Sequence, residues 1–78
     1  MKKEDFFSQL HEFLEIKTVS SLNEDINIKK LDEYDSMMIL TIIAFVDEQF
    51  NKTLSAEQLN SMQSVRDLIN LIGPENFS

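Results

Sequence analysis

The chain has 78 residues, 42% of them hydrophobic, with no cysteine, one histidine, and fourteen acidic against seven basic residues for a formal net charge of -7. That length suits one domain with one modest core and leaves no room for a second. The composition excludes a disulfide framework, a thiol nucleophile and a cysteine-based metal site. The acidic balance repels a nucleic-acid backbone and fits either basic protein partners or plain solubility.

The opening MKKEDFFSQL is basic for two residues and then acidic, without the long apolar segment of a signal peptide. A cytoplasmic protein is the expectation. The first helix is predicted over residues 4–16. Phe6, Leu10, Phe13 and Lys17 fall on one line there, with Phe7 and Leu14 beside them. Lys17 adds its stem at most, and His11 has no clear partner. From Thr18 to Asp35 the helical period fails and Ser, Asn and Asp turn formers appear. Ile26-Asn27-Ile28 alternates like a short strand but has no partner strand in view. A long loop is predicted, pinned to the core by Val19, Leu22, Ile26, Ile28 and Leu31. Loops of that length are uncommon in small domains and often functional.

The second helix is predicted over residues 36–50, with Ile39, Ile43, Val46 and Phe50 as its stripe and Leu40 and Ile42 flanking it. Asp35 or Ser36 can cap its start. Its run from Met37 to Val46 is apolar except for Thr41, yet too short to span a bilayer. A short helix over 55–61 follows, where Ser55 and Gln58 have capping-box spacing. Ser64 opens a last helix over 64–72 with Val65, Leu68, Ile69 and Ile72 at helical spacing, and Gly73-Pro74 stops it. The tail ENFS is expected to fray. Residues 1–78 thus read as a single all-α domain of three main helices and one short helix.

Asp35-Ser36-Met37 at the head of a hydrophobic helix resembles the phosphopantetheine attachment motif of acyl and peptidyl carrier proteins, where Asp-Ser-Leu is common. Three residues alone are unspecific. The resemblance extends to the first helix, the long loop, the helix ending Val46-Asp47-Glu48-Gln49-Phe50, the Ser55 helix and Ser64-Val65. It implies a small four-helix carrier bundle with a long first loop. Ser36 would receive 4'-phosphopantetheine from coenzyme A through a separate holo-carrier synthase, a phosphopantetheinyl transferase. The arm's thiol would then hold an acyl or aminoacyl group as a thioester. Asp35 would support the attachment, with magnesium present only transiently in the modifying complex. The partners implied are that transferase, a loading enzyme and downstream acyl-transfer enzymes, in fatty acid biosynthesis or related lipid metabolism. The residues themselves agree: a helix N-terminus offers free amides and positive potential to a new phosphate. Nothing else in the chain assembles a catalytic or metal-binding set, so the protein reads as a carrier and not an enzyme.

The sequence departs from the family in two places. The usual glycine shortly before Asp-Ser is missing, and Asp32-Glu33-Tyr34 occupies that stretch. Tyr34 is expected to pack. Typical fatty-acid carriers place acids early in the second helix, whereas here those places hold Met38 and Thr41, and the acids come late as Asp47 and Glu48. Met37, Met38, Thr41, Asp47 and Glu48 are therefore the expected partner surface, with Asp35 facing basic partners. Glu57 is explained by the first-turn preference for acids. The hydrophobic second helix somewhat resembles D-alanyl and other specialised carriers, which points to a dedicated pathway. Fatty, polyketide and aminoacyl loads all stay open. Ile42 and Phe45 read as core before they read as an acyl-chain cavity. The competing reading is an unmodified helical interaction domain docking through Met37, Met38 and the acids. A monomer is expected.

Overall fold

Four helices carry the chain in the computed structural model, which describes residues 1–78: α1 (Lys3–Phe13), α2 (Ser36–Phe50), α3 (Ala56–Ser61) and α4 (Val65–Ile72). The fold is all-α, as the periodicity predicts. No helix is long and apolar enough to cross a membrane.

Helix α1 ends earlier than its apolar spacing suggests. Glu15 takes a left-handed conformation (φ 53°). Its amide donates to Glu12, and the Ile16 amide reaches back to His11. This is a Schellman stop, completed by an apolar residue just beyond it. Ile16 is that residue, buried at 3% exposure, while Lys17 lies outside the helix and is exposed. Phe6 and Leu10 are the buried residues of α1, and Phe13 is 44% exposed.

Residues 14–35 form the long crossover. Ile16, Leu22 and Ile28 sink into the core, and Val19, Ile26, Leu31 and Tyr34 pack against it. The Ile26–Ile28 alternation does find a partner. Ile28 donates to the carbonyl of Gln63 at 2.9 Å, Val65 donates to Ile26 at 3.0 Å, and Asn27 bridges Ser64. The link between α3 and α4 thus satisfies loop amides that would otherwise need water. A 3-10 turn over Ile28–Lys30 follows. His11 also has a partner: its Nε2 stands 2.8 Å from the Val19 carbonyl oxygen. A carbonyl only accepts, so Nε2 carries the proton. Exposed ion pairs tie Glu24 to Lys3 (2.8 Å) and Asp25 to Arg66 (2.9 Å); such pairs contribute little each.

Helix α2 is apolar on nearly every side, so its own pattern does not say which side is inside. The packed structure buries Met38, Ile42, Phe45 and Val46 and leaves Ile39, Ile43 and Phe50 half-buried. The inner stripe is thus turned by one residue from the predicted one. Asn51, a residue that tolerates left-handed backbone, closes the helix at φ 53°. Capping boxes open both short helices, Ser55 with Gln58 and Ser64 with Asp67.

The tail does not fray. Pro74–Asn76 form a 3-10 turn, and the Phe77 ring stands edge-on to Phe6 at 5.1 Å and near Phe50 at 5.3 Å. Phe6 also meets Phe45 at 6.0 Å, so one aromatic cluster joins α1, α2 and the tail. Ile42 and Phe45 are enclosed core residues, at 0% and 1% exposure.

Candidate functional site

The site begins where the crossover becomes α2. Asp35 has extended backbone, and its carboxylate accepts the Met38 amide at 2.9 Å. Asp35 is therefore the N-cap, and Ser36 is the first helical residue. This separates two roles that the sequence left joined. Ser36 is exposed and takes no part in the cap. The amides of Ser36 and Met37 have no partner within the chain. They lie at the positive end of the helix, where an anion is favoured.

Glu33 stands three residues before Ser36. Its two carboxylate oxygens accept three hydrogen bonds from the start of the crossover: Lys17 amide at 2.8 Å, Thr18 amide at 3.1 Å and Thr18 hydroxyl at 2.6 Å. The Thr18 hydroxyl first, and then the Lys17 amide, hold the Glu33 pKa down to about 2. Between Glu33, Asp35 and α2 lies a shallow hollow of about 230 Å³, walled also by Leu14, Met37 and Thr41. A separate hollow of about 290 Å³ between α1 and the crossover is lined by Phe7, His11 and Leu22 and includes no residue of this site. Of the two, only the first borders the start of α2, through Asp35 and Met37 on either side of Ser36.

The expected partner residues divide. Met37 is 64% exposed, and Asp47 and Glu48 are exposed. Thr41 is half-buried, and its hydroxyl donates to the Met37 carbonyl at 2.9 Å, which leaves its methyl as the contact it can offer. Met38 is corrected: at 5% exposure it is a core residue and cannot form the surface of a docking face. Its side chain points inward because the inner stripe runs through Met38, Ile42 and Phe45. In its place the structure presents Leu40, 57% exposed, and Ala44, also exposed. From Ser36 to Val46 the helix carries no charge at all. Asp35 bounds that stretch at one end and Asp47 at the other, about 18 Å apart along the axis at 1.5 Å per residue. Leu40 was missed because an apolar residue beside a predicted stripe reads as core. Glu33 was missed because hydrogen bonds from distant backbone leave no mark in a sequence.

A family model described as a phosphopantetheine attachment site matches residues 7–72. The chain belongs to that family. The carrier family is non-catalytic, and its members hold a load as a thioester on phosphopantetheine and work with phosphopantetheinyl transferases and acyl-handling enzymes. No curated protein and no solved structure matches the chain. The family implies a covalent prosthetic group, and the start of α2 fits one. In this carrier an exposed serine hydroxyl stands outside the cap, beside two unpartnered amides suited to a phosphate. No group of three or more histidine, aspartate or glutamate side chains is arranged to hold a metal ion.

Proposed function

We propose that Ser36 is the attachment residue and that the protein carries an acyl or aminoacyl group for a dedicated biosynthetic pathway. The observation that supports this best is the division of labour at the start of α2, where Asp35 caps and Ser36 stays free. In attachment, the Ser36 hydroxyl oxygen forms a bond to the phosphorus next to the pantetheine half of coenzyme A. The pyrophosphate bond breaks, the nucleotide half leaves, and the serine proton passes to a base on the modifying enzyme. Asp35 holds the helix start and places a carboxylate beside the acceptor, where the enzyme's magnesium would be held transiently. When attached, the group supplies the thiol that this cysteine-free chain lacks. The Ser36 and Met37 amides, unpartnered within the chain, would be available to its phosphate.

The docking face of this reading is Met37, Leu40, Ala44 and the Thr41 methyl, with Asp47 and Glu48 beyond. The uncharged start of α2 favours a dedicated pathway over general fatty acid biosynthesis. A cytoplasmic setting with coenzyme A at hand belongs to the same proposal. The competing reading, an unmodified docking domain, loses Met38 from its surface and gives the free Ser36 hydroxyl no task.

Intact mass after co-expression with a broad-specificity phosphopantetheinyl transferase tests the assignment. One phosphopantetheine is expected on the wild-type chain and none on Ser36→Ala. An unmodified wild type across several transferases would return Ser36 to an ordinary helix residue.

A further inference from the structure

The crossover is held to the rest of the chain unevenly. Its middle is fixed by Ile26 and Ile28 against the α3–α4 link and by the pairs at Glu24 and Asp25. Its last stretch, Asp32–Asp35, has Tyr34 packed against the core but far fewer polar ties. Tyr34 donates to Leu31 in a local turn, and Asp35 caps its own helix. The only polar link from this stretch to a distant part of the chain is Glu33, through Lys17 and Thr18. Those two residues follow directly on the Schellman stop of α1 and the buried Ile16. Glu33 therefore fastens the entry of α2 to the rigid end of α1. Both of its oxygens are engaged, so the side chain cannot rotate without breaking the link. A carboxylate suits the task because it accepts at both oxygens and its charge strengthens each bond.

We propose that Glu33 is a positioning residue for modification of Ser36, holding the entry to α2 in the one conformation that the modifying enzyme accepts. This rests on the attachment reading above. Glu33 reaches no reacting atom; it acts through the backbone of residues 33–36. With the link broken, the entry samples other conformations and only a fraction of the chain is competent to bind. The apparent affinity falls by that fraction, while the bound complex reacts as before.

Steady-state kinetics with coenzyme A and a phosphopantetheinyl transferase test it on the full chain. For Glu33→Ala the KM for the carrier should rise about tenfold, as for a competent fraction of roughly a tenth. The kcat should stay within about twofold, since no transition-state contact is lost. Glu33→Gln should restore most of the loss, because its oxygen accepts the two amides and its amide donates to the Thr18 hydroxyl. Thr18→Val, which removes one bond of three, should raise KM less and keeps the test alive if Glu33→Ala fails to fold. Circular dichroism at the assay temperature confirms folding of each variant. Wild-type KM in both Glu33→Ala and Thr18→Val overturns the proposal and leaves the Ser36 assignment standing. A fall in kcat without change in KM, unrescued by Gln, also overturns it, since Glu33 would then act on the reaction itself. A wild-type chain that takes no phosphopantetheine defeats the attachment reading, and this proposal with it.

Discussion

Met37 and Met38 are adjacent, chemically identical and opposite in environment, so truncating each to alanine separates core from docking face. Met38 is 5% exposed and packs among Ile42, Phe45 and their neighbours. Removing a buried methionine side chain typically costs about 2–5 kcal/mol. Met38 lies in the first turn of α2 and walls an open hollow, so the surroundings can relax and about 2–3 kcal/mol is the expected loss. At roughly 4–8 °C per kcal/mol for a domain of this size, Tm should fall by about 10–20 °C. Met37 is 64% exposed. Its truncation should change stability by less than about 0.5 kcal/mol, with the better helix propensity of alanine offsetting lost contact. It should instead weaken productive encounter with the transferase, read as a higher KM. Thermal and urea unfolding by circular dichroism give the first quantity, and modification kinetics give the second. Equal destabilisation by Met37→Ala and Met38→Ala, or a Tm within a degree or two of wild type for Met38→Ala, would refute this division between core and surface. Either result would mean that α2 is rotated about its axis from the arrangement described.

Three further outcomes follow from the same geometry. Asp35→Ala should cost about 1 kcal/mol by removing the N-cap, whereas Asp35→Asn should keep the cap and Tm; slowed modification in both variants would show that the carboxylate charge serves attachment beyond capping. Glu15→Gly should raise stability by about 1 kcal/mol, read by urea unfolding, because it relieves a left-handed backbone that only glycine adopts freely. Acid titration should expose the Glu33 link. Its folded pKa is lowered from 4.5 to about 2, so its contribution is complete above the ordinary value and fades as pH falls between the two. Glu33→Gln should flatten the dependence of Tm on pH in that window, and an unchanged slope would remove Glu33 from the account.

Much of the fold is legible in the sequence because short-range rules wrote it. Ser55 with Gln58, Ser64 with the apolar run behind it, and Gly73-Pro74 mark helix ends through local hydrogen bonding and local sterics. The aspartate-serine pair could be located, though not which of the two is the cap. What the sequence concealed was set by tertiary contact. Helix α2 is apolar all round, so no periodicity could prefer Met38 over Met37 as the inner residue. Glu15 is an unusual residue for a left-handed stop, so α1 read on to residue 16. Phe77 looked like part of a polar tail until Phe6 and Phe50 supplied a place for it. Asn27 found its bridge to Ser64 across a distance in sequence that no local pattern spans.

The uncharged stretch from Ser36 to Val46, bounded by Asp35 and Asp47, has a kinetic consequence. A carrier that serves several enzymes in turn must arrive quickly and leave quickly. The net charge of -7 acts at a distance, speeding approach to a basic partner and weakening as salt shortens its reach. On the docking face proposed above, Met37, Leu40 and Ala44 would act only on contact, so they would govern residence time and respond little to ionic strength. Approach is thereby governed by charge spread over the whole chain, and departure by a few uncharged side chains at the start of α2, so substitutions in one set need not disturb the other.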